Sequence, residues 1–254
     1  KRKGAPAVSV VMTTGSEPIH STASHAVTNS LDLLHDTYNY NHWIYSLLRS
    51  SVGNRVLEVG SGVGNMTQFL LSCDRLFCLE PEKEYLKDLM DVTRVHGNVK
   101  VVCSRLESLP SADVPEAACD TVLCINVLEH IRDDLDAVKK MKAVLAKGGR
   151  LVLYVPACRW AYGAMDKALG HHRLYSRAML RALAAGSGLQ MTHCRYVNFI
   201  GLFGWWWAGR VRKEELIDPR RARVMDRLVP FVSALERLIK PPLGQSLFAV
   251  MTRD

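Results

Sequence analysis

The segment Val56-Leu57-Glu58-Val59-Gly60-Ser61-Gly62-Val63-Gly64-Asn65 holds the residue types and spacing most suggestive of chemistry. A short apolar run ends in glycines spaced G-x-G-x-G, the pattern of a strand that turns tightly towards a helix. Gly60 and Gly62 accept positive φ and let a ligand approach the backbone closely. A helix starting near Gly64 would aim free N–H groups at the same place. A dinucleotide turn is spaced G-x-G-x-x-G, and here Asn65 stands where the third glycine would be. Glu58 lies two residues before the first glycine, where a carboxylate repels a pyrophosphate and suits a cation. The expected ligand therefore carries an ammonium or sulfonium group and no phosphate.

Such a turn needs a parallel sheet to place it at the carboxyl end of a central strand. The sequence supplies one. Short apolar runs at 56–59, 76–79, 99–103, 121–125 and 150–155 alternate with helical patterns at 66–71, 83–92 and 133–146, the last ended by Gly148-Gly149. Nearly continuous apolar strands fit a sheet buried on both faces. Further expectations are two short helices in 26–50 broken near Asn39–Asn41, a long loop over 157–175, and a helix capped by Ser176. A strand at 190–197, an irregular stretch at 199–224, a helix at 225–239 and a closing strand from Ser246 to Met251 complete the pattern.

Composition is that of a folded α/β chain of 254 residues, 48% hydrophobic and 23% charged, which argues against disorder, fibrous repeats and a disulfide scaffold. The seven cysteines are odd in number and form no C-x-x-C pair. They read as free thiols in a reducing, cytoplasmic setting, with no metal site expected. Too few apolar residues follow Lys1-Arg2-Lys3 before Thr13 to predict a signal peptide. The longest uncharged, mostly apolar stretch, 196–209, has 14 residues, too short to span a bilayer. Residues 157–254 hold 16 basic and 7 acidic side chains, a net +9 that suits an anionic partner or simply a solvated surface.

The motifs together resemble the class I S-adenosylmethionine-dependent methyltransferases over roughly residues 38–198. Glu80, 22 residues after Glu58, stands where that family keeps an acid for the ribose hydroxyls. Asn126-Val127-Leu128-Glu129-His130 is similar to the family's turn after the fourth strand, which Asp120 begins. Gly148-Gly149-Arg150-Leu151 and Pro156 match the borders of the fifth strand. The resemblance implies a Rossmann-like α/β fold: a seven-stranded, mostly parallel sheet with helices on both faces, plus a helical and loop cap. It divides the chain into a flexible segment 1–25, N-terminal helices 26–53 over the cofactor site, a core of 54–198 plus 246–252, and cap insertions at 157–175 and 199–245.

S-adenosylmethionine, with S-adenosylhomocysteine as product, is the implied cofactor. Its expected contacts are Glu58, Gly60, Gly62, Asn65, Glu80, Pro81, Leu106, Asn126, Val127 and Tyr40. One departure is Arg105, which stands where relatives often carry an acid for the adenine, leaving backbone groups near Leu106 for that contact. Beyond Pro156 the chain resembles a narrower bacterial branch in Trp160, Tyr162–Asp166, Gly170–Ser176, Gly204-Trp205-Trp206 and Gly209-Arg210. Candidate catalytic residues are His130 and His172; candidate substrate contacts are Arg173, Tyr162, Tyr175 and Trp160.

Plainer alternatives are packing or helix capping for His130, a loop ion pair with Asp166 for His172 with Arg173, and ordinary core for Trp43. The function expected is O-methylation of a small-molecule or carrier-linked metabolite in biosynthesis. The alternatives are a nucleic-acid methyltransferase, or a non-catalytic partner that keeps the fold. Trp205–Trp207 with nearby arginines also suits peripheral membrane contact, a lid or a dimer contact. The oligomeric state is not readable.

Overall fold

The structure, a computed structural model, describes residues 9–12 and 37–254. Its strands are β1 (Ser9–Met12), β2 (Arg55–Val59), β3 (Arg75–Leu79), β4 (Val99–Cys103), β5 (Cys119–Ile125), β6 (Leu145–Pro156), β7 (Gln190–Val197) and β8 (Ser246–Thr252). They form one sheet in the order β1-β4-β3-β2-β5-β6-β8-β7. Pairing is parallel from β1 through β6, and β8 runs antiparallel to both β6 and β7. Seven of these strands make the sheet expected from the sequence. β1 adds an eighth at the edge from residues assigned to the flexible lead-in, the rest of which lies outside the described residues.

The helices are α1 (Tyr38–Leu48), α2 (Leu86–Thr93), α3 (Asp134–Val144), α4 (Ala164–Ala168), α5 (Arg177–Ser187), α6 (Phe199–Trp206) and α7 (Pro219–Ile239). The strands are apolar because both faces are covered. Val138, Met141, Leu180 and Leu183 from α3 and α5 pack on one face with Leu57, Val122 and Leu153. Ile44, Leu48, Leu86 and Leu89 from α1 and α2 pack on the other with Val56, Leu76 and Val101. Asp120 ties the start of β5 to that of β2, its Oδ2 accepting the N–H groups of Asn54 and Arg55 at 3.1 and 2.9 Å.

Several local expectations are corrected. The stretch 66–71 makes only a 3₁₀ turn at Thr67–Phe69, closed by i→i−3 bonds such as Leu70 N to Thr67 O at 2.9 Å. Ten residues, 65–74, join the glycine turn to β3, leaving no length for a full helix. The break expected at 39–41 is absent, because Asp226 of α7 accepts the Tyr40 N–H at 2.8 Å and the Asn39 side chain at 3.0 Å. That carboxylate supplies from outside the cap that Thr37 does not make with its side chain. Residues 26–36 of that expectation lie outside the described residues.

The third helix stops at Val144 rather than Ala146. There Arg253 Nη1 takes the carbonyls of Lys142, Ala143 and Leu145, and β6 begins at once. The loop 157–175 contains α4 and a 3₁₀ turn at Arg159–Ala161. The stretch 199–224 holds α6, a π turn at Trp207–Val211 and the start of α7. Buried Glu236 accepts the N–H groups of Asn198 and Phe199 at 2.9 and 2.5 Å, satisfying the start of α6 despite its glycines.

The cap is therefore assembled from both ends of the described chain. Trp43 of α1 packs against Val229 and Val232 of α7, while the outer face of α7 leaves Phe231 and Leu238 exposed. Among the described residues, no helix is long and apolar enough to cross a membrane. Asp226→Ala should remove the external cap of α1 at a cost of roughly 1–2 kcal/mol, as for other helix caps. A thermal melt should show the midpoint lowered by a few degrees, and an unchanged midpoint would remove the latch.

Candidate active site

The glycine turn leaves β2 at the point where strand order reverses, β3 lying on one side and β5 on the other. Gly60 and Gly62 adopt φ of 74° and 53°. The N–H groups of Gly60 and Ser61 both donate to the Leu79 carbonyl, at 2.8 and 3.1 Å. A Cβ on Gly60 would meet Val127 Cγ2 at 2.3 Å, so the turn rests directly on the turn after β5. Glu58 lies under the loop, its Oε2 accepting the Thr67 hydroxyl at 2.6 Å. It braces the turn from below, and burial pushes its carboxyl up to about 7.

Glu80 ends β3. One carboxylate oxygen accepts the Gly62 N–H at 2.7 Å and the other the Glu82 N–H at 2.8 Å. Burial raises it to about 7 as well. Each oxygen keeps a further lone pair, which suits a pair of neighbouring hydroxyls. Pro81 follows, and buried Leu106 opens the 3₁₀ turn after β4. Asn65 is nearly buried, its carbonyl accepting the Gln68 side chain at 2.9 Å. Positive-φ glycines with a doubly anchored carboxylate at the next strand fit S-adenosylmethionine: backbone close enough for contact and an acceptor pair for its ribose.

Beside this crevice lies a cavity of about 840 Å³, lined mostly by apolar side chains. Tyr40 and Trp43 of α1, Asn126 and His130 of the turn after β5, and residues of α6 and α7 surround it. Asn126 holds φ of 51° and its N–H donates to the Tyr154 carbonyl at 2.7 Å. The Tyr40 hydroxyl shares a hydrogen bond of 3.2 Å with that of Tyr154, and burial raises the Tyr40 phenol. The polar end of the cavity holds Glu129, His130, Asp166 and His171. His130 and His171 rings meet edge to face at 5.0 Å. Burial, with help from the neighbouring histidines, lowers His130 to about 3, while burial raises Glu129 to about 7.

Of the residues expected at the site, Tyr40, Asn126 and His130 face the cavity. Glu58, Gly60, Gly62 and Asn65 belong to the glycine segment, with Glu80 and Val127 against it and Pro81 following Glu80. Leu106 is buried in the core with Val59 and Leu79. The others lie elsewhere. His172 is exposed, and its backbone N–H donates to the Glu129 carbonyl at 2.9 Å. Arg173 pairs with Asp134 at 2.7 Å and donates to the Arg132 carbonyl at 2.6 Å, so its expected partner Asp166 is not the one it takes. Tyr175 is fully buried, its hydroxyl bonded to Leu128 O and Asp134. The Tyr162 hydroxyl donates to the His171 carbonyl at 2.9 Å, and Trp160 is exposed beside Trp206.

Sequence reading missed Glu129, His171 and Asp166 as pocket residues. The adjacent Glu129-His130 and His171-His172 pairs were the available signal. Asp166, fully buried, accepts from Gly163 N at 2.8 Å and from Trp205 Nε1 at 3.2 Å, and pairs with His171 Nδ1 at 3.0 Å. The tryptophan triplet thus divides: Trp205 anchors the cap to Asp166, Trp206 packs on Trp160, and Trp207 is exposed.

Comparison with known proteins places the geometry in context. A family model described as "Methyltransferase domain" matches residues 34–194, more than half of the chain. The ubiquinone/menaquinone biosynthesis C-methyltransferase UbiE of Pseudomonas savastanoi pv. phaseolicola is 28% identical over 146 residues, covering 51% of this chain and 54% of that protein. A mouse protein named "Probable tRNA methyltransferase 9B" is 30% identical over 106 residues, covering 41% of this chain and 22% of its own length. The chain thus spans about a fifth to about three fifths of the length of the curated relatives it matches. A solved S-adenosylmethionine-dependent methyltransferase from Mesorhizobium loti shares the fold, with a TM-score of 0.58 at 15% identity over 83% of this chain and 98% of that one.

Three buried carboxyls raised to about 7, Glu58, Glu80 and Glu129, hold protons that the unfolded chain has already released above about 4.3. Each therefore lowers stability as pH rises from that value through about 7. The thermal midpoint of the ligand-free protein should fall between about pH 5 and pH 8, and Glu58→Gln should show a smaller fall. An equal fall in the variant would remove Glu58 from this account.

Proposed function

The chain belongs to the class I S-adenosylmethionine-dependent methyltransferases, and from that premise we propose that it methylates an oxygen of a mainly apolar small molecule or carrier-linked metabolite. The observation that carries this reading is the cavity of about 840 Å³ lined by Asn126 and His130, on the same turn as Val127, against which Gly60 of the glycine turn rests. That volume lies within the range of small-molecule sites, which are apolar with a few placed polar groups. S-adenosylmethionine, when bound, supplies an electrophilic methyl group to an aligned lone pair.

The chain's own part is position and the exclusion of water. Glu80 takes the ribose hydroxyls with the lone pairs that Gly62 and Glu82 leave free. The glycine turn offers its backbone, and Glu58 and Val127 fix that turn from below and beside. Tyr40 closes the crevice from α1. His130 and His171 line the polar end, where the acceptor oxygen is held. Arg173, engaged by Asp134, lends no support to an anionic acceptor, and the apolar lining favours one carrying rings or aliphatic groups.

RNA is the second reading, favoured by the net +9 of residues 157–254 and by the likeness to the relative named as a tRNA methyltransferase. Methyl-transfer assays with phenols, quinols and carrier-linked acyl groups, run beside bulk tRNA, separate the two. Methylation of tRNA alone would overturn the small-molecule reading.

Calorimetric titration with S-adenosylmethionine should give micromolar binding. Glu80→Ala should weaken it at least a hundredfold, the loss of two charge-assisted bonds worth roughly 1.5–3 kcal/mol each. His130→Ala should slow turnover with cofactor affinity nearly intact; full activity would discard its role at the acceptor.

A further inference from the structure

We propose that Glu129, His130 and His171 form a binding site for one divalent transition-metal ion of the zinc, cobalt or iron(II) type at the polar end of the cavity. One ligand atom from each of the three side chains lies within 4.8 Å of the other two. The donors come from segments about forty residues apart that are tied together at the backbone. His172 N donates to the Glu129 carbonyl at 2.9 Å, and His130 N closes its own turn on Val127 at 2.9 Å. The Tyr162 hydroxyl holds the His171 carbonyl, also at 2.9 Å.

The Glu129 side chain carries the inference. It is fully buried, and neither carboxylate oxygen has a hydrogen-bond partner among the described residues. Buried polar groups are almost always satisfied, and an unpaired buried carboxylate is costly. A cation shared with the two imidazoles would satisfy it.

His171 is arranged as metal-bound histidines are. Its Nδ1 pairs with Asp166 at 3.0 Å, leaving the other ring nitrogen for a ligand, and carboxylate–histidine pairs of this kind orient and strengthen metal-binding imidazoles. Asp166 is itself held by Gly163 N and the Trp205 indole. Two imidazoles and one carboxylate favour zinc and its neighbours over magnesium or calcium, which prefer oxygen donors. Binding at about 2.1 Å from each donor would draw the three atoms to roughly 3.4 Å apart, a movement of side-chain ends. All three residues line the cavity, so the remaining coordination positions face a bound acceptor and suit its hydroxyl or carboxylate oxygen.

The site is independent of the cofactor reading and is tested apart from it. The full chain is stripped with a chelator and titrated with Co²⁺, followed by visible absorbance, then with Zn²⁺ in competition. Saturation at one equivalent with micromolar or tighter affinity is expected, with Zn²⁺ displacing Co²⁺. Glu129→Gln and His171→Asn should each weaken binding at least tenfold, and Asp166→Asn about 10–100-fold through loss of orientation. His193→Ala, a half-exposed histidine on β7, should leave binding unchanged. Circular dichroism confirms that each variant folds, and S-adenosylmethionine titration of the same samples reports the cofactor site separately. Absence of saturable uptake, or uptake that both Glu129→Gln and His171→Asn leave intact, would overturn the proposal.

Discussion

β2 is paired in parallel on both sides, and the chain leaves its two neighbours in opposite directions along the sheet. No crossover connection therefore covers the end of β2, and a crevice opens there because of topology alone. Everything at the site depends on this geometry. The glycine turn fits the crevice because it lacks side chains that would strike Val127. Glu80 reaches it because β3 ends in register with β2. The turn after β5 closes the opposite wall and carries Asn126, Glu129 and His130 into the same space.

The cap depends on a different kind of force. The sheet is apolar and directionless in what it buries, but the cap is placed by a few carboxylates with specific partners. Asp226 caps α1, Glu236 caps α6, and Asp166 gathers Gly163, His171 and Trp205. Buried or half-buried carboxylates of this kind are favourable only while fully bonded. They fix orientation where apolar packing would leave several arrangements nearly equal. Gly163 and Gly209 show how close the fit is: a Cβ on Gly163 would lie 2.7 Å from the Gly209 carbonyl carbon.

The sheet and the glycine turn were legible because their signals are local. Apolar runs, glycine spacing and an acid at the end of the second strand lie within short windows and mean the same thing in any context. The cap was hidden because its signals are not local. Asn198 is a local cap for α6, accepting the Gly201 N–H at 3.0 Å, but the N–H groups of Asn198 and Phe199 are taken by Glu236, 37 residues beyond Phe199. Nothing in His171-His172 says which ring turns inward; a backbone bond from His172 to Glu129 decides that. Arg173 and Tyr175 looked like binding residues by type, but Asp134 engages both. Glu129 sits within a sequence motif, but only the fold reveals that its carboxylate is buried without a partner.

β8 lies between β6 and β7, and among the described residues β7 has no other strand beside it. The seventh strand therefore has no edge to join until residues 246–252 have been synthesised. The same holds for α6, whose start needs Glu236, and for α1, whose cap is Asp226. On a ribosome the parallel half of the sheet has every partner it needs by the time β6 emerges, whereas the cavity roof must wait for residues 219–252. A message cut short after β7 would yield a cofactor crevice without a roof, and with a bare strand edge facing solvent.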